Sequence, residues 1–189
     1  MTTNSRSTGT ADGSTGTAGR GTGLVLGAAT VAMGLIAGVF YVFACAIMPA
    51  LARSDDRVYV EVMRNINDVI QNPVFFLSFM GAPLLAAVSA WQLRGQPYRW
   101  WVWAAVAAYG LGFLTTVAFN IPLNNDLANM SSPTAAREHF EDPWVAWNVF
   151  RAVLSTVALA CLARALVRYG RGAQTSEYLA SAAGSRASR

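Results

Sequence analysis

The chain has 189 residues and a net charge of +4, and all 14 of its basic residues are arginine. Hydrophobic residues make up 54% of the chain and charged residues only 13%, whereas a soluble domain usually carries ~25% charged residues. So little charge cannot cover a water-facing surface, which argues against a soluble globular enzyme. Because no basic stripe or aromatic RNA-binding motif accompanies the arginines, no nucleic-acid partner is expected.

Both ends of the chain are predicted to be flexible. Sixteen of residues 1–23 are Thr, Ser or Gly, and such a stretch buries too little apolar surface to offset its ordering entropy. Residues 1–23 are therefore predicted to be a disordered polar tail. Residues 24–170 are predicted to be a membrane domain, and residues 171–189 a flexible cytoplasmic tail.

Four apolar stretches follow the polar tail, each close to or above the ~20 residues that cross ~30 Å of hydrocarbon as a helix. Since every backbone amide must be satisfied locally in lipid, the stretches are predicted to be helices. The predicted fold class is therefore all-α, a bundle of four transmembrane helices. The stretches are residues 24–51, 74–93, 100–119 and 144–167.

The connection between the first two stretches is predicted to form an amphipathic helix. Ser54 or Asp55 can cap its start, and apolar residues recur at helical spacing from Val58 to Ile70. The asparagine and proline at 72–73 are expected to end it.

The arginines are distributed unevenly along the chain. The two tails, the 94–99 connection and the end of the fourth stretch hold nine arginines against two acids. This bias predicts a plasma-membrane protein with both termini in the cytoplasm and the amphipathic helix on the extracytoplasmic side.

Arg151 is the strongest candidate for chemistry, because it lies seven residues into the fourth stretch. An arginine inside a membrane helix costs roughly 3 kcal/mol by insertion scales, so something must offset it. A guanidinium can bind a carboxylate, phenolate or enolate through two parallel hydrogen bonds. The alternatives are that it reaches outward to lipid headgroups or pairs with Asp126. Helical spacing places four side chains on one face: Trp144, Trp147, Asn148 and Arg151.

Residues 119–126, Phe-Asn-Ile-Pro-Leu-Asn-Asn-Asp, close the third stretch. Since Pro122 lacks an amide proton, the third helix is predicted to stop here, with Asn120 as a cap and a tight turn at 124–125. Two interpretations of the asparagine side chains remain open. They serve only to cap the helix and form the turn, or they form a cluster of hydrogen-bond donors near Arg151.

The one histidine, His139, lies among Glu138, Glu141 and Asp142. A single histidine cannot build the paired Glu-x-x-His site of di-iron bundles. The pattern therefore favours a solvated charge cluster, and no metal is expected.

Two motifs are fairly specific when they occur together: Asn-Ile-Pro-Leu-Asn-Asn at 120–125 and Trp-x-x-Trp-Asn-x-x-Arg at 144–151. Residues 48–51, 63–67 and 72–76 add weaker matches. Over about residues 25–168 the chain resembles the anthrone oxygenase-like family of small membrane proteins, originally a domain of unknown function. The resemblance implies four transmembrane helices and oxidation of polyketide anthrones to anthraquinones by dioxygen, without an evident cofactor. Val149 is a departure, since many members carry a polar residue there, often His.

The sequence thus predicts a pocket near the outer leaflet that takes an apolar aromatic molecule from the bilayer. Arg151 and Asn148 are expected to stabilise an enolate as an oxyanion site does, and Asp126, or else His139, is the candidate base. The residues expected to bind substrate are Asn67, Asn120, Asn124, Trp144 and Trp147. Beyond the bilayer and this molecule no partner is predicted, and neither is the oligomeric state.

Two other classes of function remain open from the residues alone. A non-enzymatic structural or accessory membrane protein would bind a lipid or a partner subunit and use Arg151 with the asparagines as an internal hydrogen-bond network. A transporter is weaker, because four short helices without repeats or several buried charges are atypical of that class.

Overall fold

The computed structural model describes residues 14–187, and within that range the chain is helical without any strand. Two short segments, π1 and π2, are π-helical turns. In chain order the elements are α1 Ser14–Val42, π1 Phe43–Ile47, α2 Met48–Leu51, α3 Asp56–Ile70, α4 Pro73–Gln92, α5 Arg99–Thr115, π2 Thr116–Asn120, α6 Ile121–Asn129 and α7 Pro133–Ala187.

Four helical segments are long and apolar enough to cross a membrane, which confirms the predicted four-helix bundle and makes the chain a multi-pass membrane protein. The segments are Gly21–Leu51, Pro73–Gln92, Arg99–Asn129 and Pro133–Thr175. α1 and α5 each pack on both α4 and α7, so the four helices form a closed ring of neighbours. We call the end of the bundle that carries α3 the α3 end.

Helical structure extends beyond the predicted membrane domain at both ends. α1 begins at Ser14 and α7 continues to Ala187, although a disordered tail was expected over 1–23 and a flexible one over 171–189. Residues 1–13 and 188–189 lie outside the described residues. No proline interrupts 171–187 and alanine is frequent there, so the sequence offers no strong stop to α7.

The third span continues past Pro122, so the predicted stop at this proline is wrong. π2 follows α5 directly, and α6 carries the backbone on to Asn129. Pro122 lies at the start of α6, directly after π2; proline has no N–H and its ring crowds the carbonyl one turn back, and the altered hydrogen-bond ladder of the π turn accommodates it. Asn120 makes no capping hydrogen bond with its side chain. Pro49 follows π1 in the same way at the start of α2.

The amphipathic helix predicted after the first span is present as α3. The N–H of Val58 donates to Asp55 Oδ1 at 2.9 Å, which confirms Asp55 as the cap. The buried face consists of Tyr59, Val60 and Met63. Val58, which opened the predicted apolar face, is instead exposed, because α3 packs on α6 and α7 through the other residues.

Arg64 fixes α3 to the end of α6. Its Nε and Nη2 donate to the carbonyl oxygen of Leu127 at 3.0 and 2.8 Å, and Nη2 also donates to that of Met130 at 2.6 Å. These carbonyls lie at the C-terminal end of α6, where a positive charge is favoured by the helix dipole.

Arg137 on α7 holds the start of α3 in a similar way. Its guanidinium donates to the carbonyl of Ser54 at 2.9 Å and forms ion pairs with Asp56 at 3.1 Å and Glu141 at 2.6 Å. It also lies 4.7 Å from the ring centre of Tyr59. Burial raises the pKa of the Tyr59 phenol above its usual range, and the Glu141 carboxylate raises it further, so this ring stays neutral beside the ion pairs.

We expect Arg64→Met to loosen α3 from α6, since hydrogen bonds from a charged donor contribute about 1.5–3 kcal/mol. Amide hydrogen exchange in residues 56–70 and 121–129 should quicken by roughly tenfold or more, as 1.4 kcal/mol corresponds to a factor of ten. Arg57→Met is the matched control, because Arg57 is an exposed arginine on the same helix. Equal exchange rates in the two variants would contradict this role of Arg64.

Candidate functional site

A cavity of about 220 Å³ lies at the α3 end of the bundle. It is larger than the ~150 Å³ apolar cavity that holds one benzene ring, so it has room for more than a single ring. Residues of α1, π1, α3, α4, π2, α6 and α7 form its wall. The lining residues are Val39, Phe40, Phe43, Ile66, Asn67, Ile70, Gln71, Phe75, Phe76, Phe79, Thr116, Ile121, Asn124, Asn125, Trp144, Asn148 and Arg151.

Aromatic rings make up much of the wall, and those from α4 are held in a stack. Phe75 stacks on Phe79 with ring centres 5.4 Å apart, and Phe79 lies 5.4 Å from Phe113 on α5. The hydroxyl of Tyr109 donates to the carbonyl of Phe79 at 2.8 Å and ties the two helices together beneath the cavity. The stack fixes the phenylalanine rings on this side of the cavity, and such rings can pack against the ring of an aromatic ligand.

Arg151 supplies the cavity's positive charge, and its side chain is only 5% exposed. Nη1 donates to the Thr116 hydroxyl at 3.2 Å and Nη2 to Asn148 Oδ1 at 3.1 Å. The guanidinium carbon lies 4.5 Å from the ring centre of Phe40 and 5.5 Å from that of Trp144. The two hydrogen bonds and the two ring faces partly replace the water that burial removes.

No carboxylate forms an ion pair with Arg151 within residues 14–187, and its Nε has no hydrogen-bond partner there. Both alternatives considered for this residue therefore fail. It does not reach outward, because it is buried, and it does not pair with Asp126, which bonds to His139 instead. The result is a buried cation, part of whose hydrogen-bonding edge is unused, on the wall of an aromatic cavity.

Asn148 and Asn124 link α7 to its neighbours at the cavity wall. Asn148 is fully buried, and its Nδ2 donates to the carbonyl of Phe40 on α1 at 3.1 Å. The indole N–H of Trp144 donates to Asn124 Oδ1 on α6 at 2.8 Å. Both asparagines thus hold their neighbours in place while also facing the cavity.

Asn67 on α3 also lines the cavity, so five of the eight predicted site residues come together there: Asn67, Asn124, Trp144, Asn148 and Arg151. Asn120 lies in π2 and is 1% exposed, but it is not a lining residue. Both polar atoms of its side chain lack a partner in the described part of the chain. An unpaired buried amide costs about 1–3 kcal/mol, so Asn120 is a polar group that the fold retains at a cost.

Trp147 faces away from the cavity, so it does not share the face predicted for it. Its ring stacks on exposed Phe119 at 4.0 Å with an interplanar angle of 7° and contacts Phe150 edge-on. At 3.6 residues per turn Trp147 lies about 100° around α7 from Asn148. That angle carries its indole to the outer side of the bundle.

Asp126 and His139 form an exposed pair outside the cavity wall. Asp126 Oδ2 and His139 Nε2 are 3.2 Å apart, and more than half of each side chain is accessible. Neither is a lining residue, so the geometry does not bring the two candidate bases to Arg151. Among the residues that the structure describes, no three His, Cys, Asp or Glu side chains are grouped to hold a metal ion.

The sequence did not reveal several of the residues that line the cavity. Thr116 bonds back to the carbonyl of Gly112 as expected for a helical threonine, at 3.1 Å, but its hydroxyl also accepts from Arg151. Phe40 and the α4 phenylalanines lie in uniformly apolar runs. Their composition carries no signal that separates a cavity wall from a lipid-facing surface.

A match to a known family lies in the segment that supplies most of the lining residues of the cavity. No curated protein and no solved structure matches the chain. Residues 73–161 match the family model described as anthrone oxygenase, and they include α4, α5, α6 and the part of α7 that carries Arg151. This segment, residues 73–161, is assigned to the anthrone oxygenase-like family.

Proposed function

We propose that the protein is a cofactor-independent oxygenase that oxidises an apolar, phenolic or anthrone-like molecule in the cavity at the α3 end. The observation that carries the proposal is the buried Arg151 guanidinium, which has no carboxylate partner in the described chain and lies on an aromatic wall. A cation in such a place is best balanced by an anionic ligand. The match of residues 73–161 to the anthrone oxygenase family favours an anthrone as that ligand.

The first step of the proposed mechanism is ionisation of the bound molecule. An anthrone loses a proton from the carbon opposite its carbonyl, and the charge of the resulting enolate falls on the oxygen. Arg151 beside that oxygen lowers the pKa of the bound molecule, because an opposite charge favours the ionised form. Asn67 and Asn124 offer amide groups on the same wall and act as further donors to the oxyanion.

The proton needs an acceptor, and Asp126 and His139 lie outside the cavity wall. Gln71 and Asn125 line the cavity and are exposed, so one side of the mouth is polar. We propose that water at this side takes the proton. In this mechanism Asp126 reaches the substrate only through such water.

The second step is attack of the electron-rich carbon on dioxygen. A carbon–oxygen bond forms and the two oxygen atoms together take up two electrons, which gives a hydroperoxide after protonation. Loss of water from this hydroperoxide leaves the second carbonyl. The sum is one anthrone plus one dioxygen giving one anthraquinone plus one water, so the substrate supplies all the electrons. The protein's part is to bind, orient and stabilise the anion.

Orientation and location are part of the same proposal. Nine arginines against two acids lie towards the other end of the bundle and in the tails. By the positive-inside rule we place both termini in the cytoplasm and the α3 end on the outer side of the plasma membrane.

A non-enzymatic role has one observation in its favour. Asn148 connects α7 to α1 and Arg151 connects α7 to π2 through one hydrogen bond each, and a third hydrogen bond joins the two side chains, as in a purely structural network. The two roles differ in what removal of the guanidinium does. A structural network predicts loss of folded protein, whereas an oxyanion site predicts folded protein without turnover.

Arg151→Met is expected to lower kcat for anthrone oxidation by about 10²–10³-fold, the usual cost of removing one oxyanion donor. The measurement is the rise in quinone absorbance when purified protein in lipid nanodiscs receives an anthrone and oxygen. Arg164→Met is the control, since Arg164 is an exposed arginine on the same helix. Equal kcat in Arg151→Met and wild type would rule out the mechanism.

Because Arg151→Met removes an internal hydrogen-bond network, its Tm is measured beside its turnover. Arg151→Lys keeps the charge but loses the planar pair of donors. We expect it to retain activity between that of wild type and Arg151→Met. Loss of folded protein in both variants would favour the structural role.

The role of the exposed Asp126–His139 pair is tested by Asp126→Asn. If water at the mouth takes the proton, we expect kcat to fall by less than about threefold, because an exposed pair outside the wall contributes little. The rate should rise with pH as the anthrone ionises, equally in the variant and in wild type. A decrease in kcat of more than about tenfold, with a changed pH profile, would instead support Asp126 as the base.

A further inference from the structure

The mouth of the cavity has an apolar side as well as a polar one. Phe76 and Ile121 both line the cavity and are 41% and 45% exposed. The deeper lining residues, by contrast, are buried, as Phe79 and Arg151 are. The cavity therefore reaches the surface between the first turn of α4 and the first turn of α6.

The course of the helices explains why a gap lies there. α4 packs on α5, whereas α6, the continuation of that span beyond π2, packs on α3 and α7. α4 and α6 thus take different neighbours at the α3 end. Phe76 and Ile121 border the space between them.

This gap opens in a wall of the bundle that faces lipid. Both border residues lie within segments apolar enough to span a membrane. On either side of the gap the neighbouring side chains are large, apolar and exposed, namely Leu77 on α4 and Val117 on π2. In a multi-pass protein such a surface is covered by acyl chains rather than by water.

We propose that the ligand of this site is an aromatic anion that carries an apolar chain, such as an alkylated phenol or hydroquinone resident in the bilayer. Its charged oxygen lies at Arg151, its ring lies along the Phe75–Phe79 stack, and its chain leaves through the gap between Phe76 and Ile121. The inference rests on the proposed site for an aromatic anion, and it adds that the bound molecule need not be wholly enclosed. The gap explains how a cavity of about 220 Å³ would hold the head of a larger molecule.

The test compares binding of two probes in nanodiscs, 2-naphthol and 6-dodecyl-2-naphthol, which differ only in a chain on the ring remote from the hydroxyl. Ile121→Trp fills the gap. We expect it to weaken binding of the dodecyl probe by about tenfold or more, since a misfit of one methylene group in an apolar pocket costs about 10–200-fold. Binding of 2-naphthol, which has no chain in the gap, should weaken much less than binding of the dodecyl probe. For each probe, binding to the variant is compared with binding to wild type in the same bilayer, so the partition of the probe into lipid does not affect the comparison.

Leu77→Trp is the matched control, as it adds the same ring to an exposed position that does not line the cavity. It should leave both probes within about twofold of wild type. If Ile121→Trp does not fold, Phe76→Trp fills the gap from the other side and should give the same difference between the probes.

Equal weakening of both probes, or of neither, would overturn the inference and leave the gap as a seam filled by lipid. Because binding is read without turnover, the outcomes separate from those of the proposed oxygenase. If the protein distinguishes the two probes but does not oxidise anthrone, the proposed chain exit is supported and the proposed oxygenase activity is contradicted. If anthrone is oxidised and the probes are not discriminated, the chain exit alone is wrong.

Discussion

The structure depends on how a bilayer-spanning bundle accommodates the buried guanidinium of Arg151. Burial removes its hydration, and two hydrogen bonds with two aromatic faces replace only part of it. No carboxylate in the described chain completes the balance. Membrane helices tolerate such a charge chiefly where it serves a function. The arrangement is consistent with a site whose missing partner is an anionic ligand, and the proposed oxygenase chemistry follows from that single imbalance.

The two π turns shape the space around this charge. π1 supplies Phe43 and π2 supplies Thr116 to the cavity wall, and each turn is followed by a proline in the first turn of the next helix. A π turn alters the hydrogen-bond ladder of a helix and is frequent at functional sites. Here π2 separates α5, which packs on α4 and α7, from α6, which packs on α3 and α7. The cavity lies where these neighbours change.

The sequence predicted the parts of this architecture that depend on composition and short spacing. Four spans, the amphipathic α3 and its Asp55 cap follow from hydrophobic runs and local capping, and the three cavity residues on α7 follow from helical periodicity. The predictions that failed concern the direction in which a side chain points, or contacts between residues distant in the sequence. Trp147 lies just far enough around α7 to face outward, and Pro122 is accommodated by a π turn that leaves no mark in composition. Asp126 bonds to His139, a tertiary contact that spacing along the chain does not reveal.

The central claim is that Arg151 stabilises an anion within the cavity, and the pKa of a bound phenol tests it most directly. The ionisation of 2-naphthol is followed by its phenolate absorbance in nanodiscs that contain wild-type protein, Arg151→Met or no protein. We predict that wild type lowers the pKa of the bound probe below its value in protein-free nanodiscs, because the guanidinium favours the charged form. In Arg151→Met the pKa should be raised instead, since only desolvation remains. The same pKa in both proteins would contradict the account.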